Sequence, residues 1–150
     1  MSHFQILIFN GTNLGHIGQR QPEIYGSACM EELCGLLSRI RPDLAERAAL
    51  RFFQSNHEGA LIDRLERARQ EVHGVVFNAG ALTHTSLALA DCLAWIKIPC
   101  VEVHLSNVWA RPETIRHTTL LAPHCLGVVA GFGLMSYALA AVALCEHLDS

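Results

Sequence analysis

Five short apolar runs, QILIF, LRFFQS, GVVFN, CVEVH and CLGVVAG, recur along the chain with helix-like stretches between them. This alternation constrains the fold more than any other feature. Short runs that are apolar at nearly every position suit strands buried on both faces. Such strands occur in parallel sheets with helices on either side. The expectation is therefore an α/β chain with a five-stranded parallel sheet.

The intervening stretches carry helix signals. Residues 27–40 read as a helix with Ser27 as N-cap and Glu31 and Glu32 in the first turn, and Pro42 breaks or restarts it. Ser55, Asn56, His57 and Glu58 match a capping box that opens the amphipathic stretch GALIDRLERARQEV. Residues 85–96 read as a further helix, and Pro99 leads into the fourth strand. The pattern is less defined over 107–121. From residue 117 to 145 there is no Asp, Glu, Lys or Arg, a length that could span a bilayer, but AGFG divides it into a strand and a helix, LMSYALAAVALCEHL. A helix apolar on nearly every side is buried against more than one neighbour, so a subunit interface is expected there.

With 150 residues, 51% hydrophobic and 17% charged, the chain reads as a single globular domain over 1–150. A net charge of -3 argues against a nucleic-acid partner. Six cysteines are scattered with no CxxC, and the first residues, MSHFQILIF, lack the basic region of a secretory leader. Both features point to the reducing cytoplasm, with free thiols acting as small hydrophobes.

In parallel α/β sheets, ligands bind beyond the carboxyl ends of the strands. The unusual polar residues of this chain follow the first, third and fourth runs, in NGTNLGHIGQRQPEIYG, NAGALTHTS and HLSNVWAR. Gly11, Gly15 and Gly18 do not form GxGxxG, and no GxxxxGK[ST] occurs. A phosphate cradle is disfavoured, although flavin binding without these motifs stays open. The one lysine, Lys97, sits at a helix end and reads as a surface charge. Nine histidines show no HExxH and no Cys/His ligand spacing. His84 and His104 stand apart, because each follows a predicted strand among small polar residues.

Glu102 and His104 alternate on one strand and share a face. A carboxylate there orients the imidazole and favours its protonated form, which suits a general acid. Leu105 and Ser106 offer backbone N–H groups and a hydroxyl at the strand end. Asn78 closes the third run; it either caps a turn or binds a hydroxyl or water. Asp91, within ALADCL, is a solvated edge or reaches a neighbouring subunit's pocket. Tyr25 and Arg20 share the long first loop. A phenol ionises near pH ~10, and a guanidinium nearby favours the anion. Arg20 or Arg111 can supply that cation, so the loop can bring a base over the sheet end and shut out water.

Together these motifs resemble the type II 3-dehydroquinate dehydratases (type II dehydroquinases). The resemblance runs through NGTNLGHIGQRQPEIYGS, FFQSNHEGALIDRL, NAGALTHTSLALADCL, VEVHLSNVWAR and GVVAGFGLMSYALAAVAL, almost the whole chain. It implies a flavodoxin-like fold with strand order 2-1-3-4-5, a cytoplasmic homododecamer built from trimers, and no metal or cofactor. It also implies roles. Tyr25 abstracts a C2 proton from 3-dehydroquinate, Arg20 closes the site, and Arg111 helps keep Tyr25 ionised. Asn13 holds a water against the enolate. His104, oriented by Glu102, protonates the departing C1 hydroxyl, with Asn78 positioning it. Leu105 and Ser106 bind the carboxylate; His84 and Arg116 bind ring hydroxyls, with Asp91 from an adjacent subunit. The product is 3-dehydroshikimate, an intermediate of both shikimate biosynthesis and quinate breakdown.

The chain departs from the family pattern at Thr12, Gly15, Ala79, Leu82 and Trp109, and one extra residue separates Arg111 from Arg116. Two other readings remain at this point. One is a silent paralogue that binds a related ligand in an oligomer; the other is a flavodoxin-like flavin carrier.

Overall fold

The computed structural model describes residues 3–16 and 30–150. Among them, five strands form one parallel sheet in the order β2-β1-β3-β4-β5. The strands are β1 (Phe4–Asn10), β2 (Ala48–Gln54), β3 (Gly74–Asn78), β4 (Cys100–His104) and β5 (Gly127–Ala130). The helices are α1 (Leu33–Ile40), the single turn α2 (Pro42–Ala45), α3 (Glu58–Ala68), α4 (Leu87–Ile96) and α5 (Leu134–Asp149). The strand order is the flavodoxin-like one that the resemblance implied.

Period-two alternation sorts the strand side chains between two cores. Ile6, Ile8, Val76, Val101 and Val103 pack against α1 and α5, with Leu33, Leu36, Tyr137, Ala141 and Leu144. Leu7, Phe9, Val75, Phe77 and Cys100 face α3 and α4, with Leu61, Leu65, Leu89 and Leu93. The central strands β3 and β4 are buried at every position. That is why GVVF reads as an unbroken apolar run, while in β4 the two polar residues, Glu102 and His104, are buried together as a pair. Glu102 and His104 have the same parity as Cys100, so they stand on the α3/α4 side.

The helix starts depart from expectation in two places. Ser55, Asn56, His57 and Glu58 do not form a capping box: His57 is the N-cap of α3 and its side chain makes no cap hydrogen bond. Ser55 Oγ accepts the His57 N–H at 3.0 Å instead, and the Glu58 carboxylate is taken by the Ser86 hydroxyl. A tertiary donor has replaced the local one. The expected helix over 85–96 starts two residues later, because Ser86 is its N-cap and its Oγ accepts the Leu89 N–H at 3.0 Å. The proposed N-cap Ser27 lies outside the described residues; Met30–Glu32 forms a 3-10 turn before α1. Pro42 restarts the chain as the first residue of α2. The ill-defined 107–121 segment contains two 3-10 turns, Val108–Ala110 and Thr114–His117. No helix among the described residues is long and apolar enough to cross a membrane.

Candidate active site

The carboxyl ends of β1, β3 and β4 are held together before any ligand is considered. Gly11 N–H donates to Asn78 O at 2.7 Å, tying the loop after β1 to the end of β3. A Cβ at Gly11 would lie 2.5 Å from Ala79 O, so only glycine allows that approach. Gly80, at φ +64°, lies against Thr12 in the same way.

One pocket opens at this junction. Asn13, Asn78, His84, His104, Leu105, Ser106, Arg111 and Arg116 all line it. These are eight of the twelve residues that the sequence singled out. Glu102 lies behind His104 and is 1% exposed. Asp91 is on the exposed side of α4 and does not line the pocket. Arg20 and Tyr25 lie outside the described residues. The extra residue between Arg111 and Arg116 does not carry Arg116 away from the site. Its Nε lies 3.5 Å from Glu113 Oε2, and that buried atom has no hydrogen-bond partner among the described residues.

His104 Nε2 lies 2.7 Å from Glu102 Oε2, in a pair that is almost fully buried. Two residues of one strand meet because side chains at i and i+2 project to the same face. With Nε2 committed to the carboxylate, Nδ1 is the ring atom left for the pocket. His84 Nδ1 lies 2.7 Å from the Thr118 carbonyl. A carbonyl only accepts, so Nδ1 carries the hydrogen and Nε2 of the neutral ring is an acceptor. Burial, with positive neighbours at His104 and Arg116, holds the His84 pKa below the ordinary histidine value, against the pull of the Thr118 carbonyl. The two imidazoles stack with centroids 6.1 Å apart.

Asn78 is fixed at both ends of its amide. Nδ2 donates to the Tyr137 hydroxyl at 2.9 Å, and Oδ1 accepts the Gly80 N–H at 3.0 Å. Tyr137 in turn donates to Asn10 Oδ1 at 2.7 Å. Burial pushes the Tyr137 phenol far above its usual range, so it remains a neutral hydrogen-bond bridge. One Asn78 amide hydrogen is left for a ligand. Arg111 Nη1 reaches Ser106 Oγ at 3.4 Å. Asn13 takes a left-handed backbone, φ 64°, while its N–H donates to Asn56 Oδ1 at 2.9 Å.

Sequence reasoning missed Asn10, Thr119 and Tyr137. Thr119 lies in the segment without a clear pattern. Tyr137 lies in an apolar helix, where its one signal was that a buried tyrosine needs a partner for its hydroxyl.

Chemically, the pocket offers a carboxylate-backed imidazole, a neutral imidazole, two guanidinium groups and two amides at the ends of parallel strands. That arrangement defines an acid–base enzyme for a small anionic substrate, built on an α/β sheet. Residues 4–145 match the family model described as Dehydroquinase class II, and the chain belongs to that family. It is 50% identical over 143 residues to a 3-dehydroquinate dehydratase of an Exiguobacterium strain, with 95% of each chain covered. It is 44% identical to the 3-dehydroquinate dehydratase of Acaryochloris marina, covering 100% of this chain and 99% of that one. The solved type II dehydroquinase of Butyrivibrio crossotus superposes with a TM-score of 0.86 at 39% identity, covering 95% of this chain and 98% of that one.

Proposed function

We propose that the chain is a hydro-lyase that dehydrates 3-dehydroquinate to 3-dehydroshikimate by anti elimination through an enolate. The observation that carries this reading is the buried Glu102–His104 pair, 2.7 Å apart, opening into a pocket that also holds Arg111 and Arg116. The substrate carries a carboxylate and ring hydroxyls. Ser106 and the Leu105 backbone receive the carboxylate, while His84 and Arg116 receive the hydroxyls.

Tyr25, as phenolate, takes the C2 proton, and the electron pair moves onto the C3 carbonyl oxygen. A water held by Asn13 stabilises the enolate. The enolate then collapses, the C1–oxygen bond breaks, and His104 delivers a proton to the leaving hydroxide, which departs as water. Arg20 and Arg111 favour the phenolate form of Tyr25. General acid and base groups each contribute about 10²–10⁴-fold, and positioning and enolate stabilisation supply the rest. Because His104 and Tyr25 transfer the protons themselves, this mechanism uses no cofactor.

The same reading makes the chain a cytoplasmic homo-oligomer, a dodecamer built from trimers. Apolar side chains left exposed on the single chain, Leu126, Val128, Phe132 and Leu139, support association. Among the described residues, five free thiols, at Cys34, Cys92, Cys100, Cys125 and Cys145, support a reducing compartment.

Ultraviolet absorbance on addition of 3-dehydroquinate tests the proposal, since the product is a conjugated enone. We expect a rise with the wild-type protein and its near-complete loss in Tyr25→Phe, with the assembly intact by sedimentation. No rise at high protein concentration would favour the silent-paralogue reading. Wild-type rates in Tyr25→Phe would remove Tyr25 from the role of base.

A further inference from the structure

We infer that Thr119 is a positioning residue for the general acid, holding Glu102 as the charged acceptor behind His104. This inference rests on the dehydratase reading. Its basis is a hydrogen-bond geometry with one consistent solution. Thr119 Oγ1 lies 2.6 Å from Glu102 Oε1. The same oxygen accepts the backbone N–H groups of Leu121 at 3.2 Å and Ala122 at 3.1 Å. A hydroxyl has two acceptor lone pairs and one hydrogen. Both lone pairs are occupied, so the hydrogen points at Glu102, and Oε1 is obliged to accept.

The second carboxyl oxygen, Oε2, faces His104 Nε2 at 2.7 Å. Two arrangements of the shared proton fit that contact: carboxylate with Nε2–H, or carboxylic acid with a bare Nε2. Thr119 discriminates between them. A donated hydrogen bond is stronger to a carboxylate than to the carbonyl oxygen of an acid. Thr119 therefore biases the pair toward ionised Glu102 and toward Nε2–H on His104. The tautomer with its reactive nitrogen toward the pocket follows from a residue that never touches substrate.

Other charged and titratable groups around the pair stay constant in this comparison. They are Arg111, Arg116 and His84 from the pocket wall and Cys100 two residues before Glu102. The segment that carries Thr119 is itself anchored, since Leu120 N–H donates to Thr83 O at 3.0 Å and the Thr118 carbonyl holds His84. One irregular stretch thus sets the hydrogen-bonding state of both histidines.

The test compares Thr119→Val with Thr119→Ser in steady-state dehydration of 3-dehydroquinate across pH. Losing one charge-assisted hydrogen bond should lower kcat in Thr119→Val about tenfold and, because the lost donor stabilised the anionic side of the pair, move its alkaline fall up by about one pH unit. KM should change less than about twofold, and Thr119→Ser should restore both values. A lower kcat with an unmoved pH profile would mean that Thr119 only shapes the turn, and the inference would fail. Thr119→Ala removes the same hydroxyl and carries the same expectation if the valine variant does not fold. Nitrogen NMR of histidine-labelled wild-type protein gives a readout without any variant: His104 Nε2 should keep its hydrogen as Nδ1 titrates. A bare Nε2 would overturn the inference directly. A wild-type protein that does not dehydrate 3-dehydroquinate would instead sink the dehydratase reading, and the NMR result would still decide the pairing.

Discussion

At the scale of residues, the pocket separates two histidines by their surroundings. His104 has a carboxylate behind it, whereas His84 has a carbonyl and positive neighbours, and burial penalises its charge. The folded pKa of His84 lies below its unfolded value. Its contribution to stability is therefore complete above the ordinary histidine value and is lost as pH falls from there through the folded pKa. Replacing it with asparagine, which can keep an N–H to the Thr118 carbonyl, removes this proton uptake. Denaturant titrations of His84→Asn should show a shallower loss of unfolding free energy than wild type between about pH 7 and pH 5. Identical slopes for the two proteins would show that His84 does not resist protonation. The pairing of Glu102 with His104 was legible in the sequence because strand periodicity is local. Thr119 was not, because its partner lies 17 positions away across a segment with no regular pattern. For Tyr137 the sequence signals only that a buried hydroxyl needs a partner, not that the partners are Asn78 and Asn10.

At the scale of elements, the site depends on how closely two loops approach. The loops after β1 and β3 touch at Gly11 with Ala79 and at Gly80 with Thr12, and Gly80 also donates its N–H to Asn78 Oδ1. Gly80→Ala puts a Cβ 2.7 Å from the Thr12 carbonyl at a positive φ that alanine resists. Thermal or denaturant unfolding should show a loss of about 1–3 kcal/mol. KM for the substrate should rise as well, because Asn13 lies on one of the two loops being pushed apart and Asn78 at the root of the other. A variant as stable as wild type with unchanged KM would show that the contact relaxes freely. The strands themselves were legible, since GVVFN and CVEVH coincide with β3 and β4. Helix starts were less so. The chain around Ser55 has the residues of a capping box, yet Glu58 finds Ser86 on another element, a choice only the folded chain offers.

At the scale of the whole molecule, Asp91 stands apart: among the described residues of the proposed site it alone lies away from the pocket and the strand ends behind it. Asp91 projects from the exposed side of α4, while the nine other proposed residues among those described all follow β1, β3 or β4 or lie on them. If Asp91 serves the pocket of an adjacent subunit, each site is shared, and the oligomer is required for a complete one. Complementation separates this from any role within one chain. Asp91→Asn should weaken turnover roughly tenfold or more, by loss of a charged hydrogen-bond partner. His104→Gln should weaken it about 10²–10⁴-fold. In oligomers formed by coexpressing the two in equal amounts, a pocket with intact His104 meets a neighbour with intact Asp91 in about a quarter of sites. Those sites are wild type in every catalytic group. Turnover of the mixture should therefore rise toward about a quarter of wild type and exceed the mean of its parents. If Asp91 acts only beside its own His104, no arrangement of the two variants creates an intact site, and the mixture stays at the mean of the two.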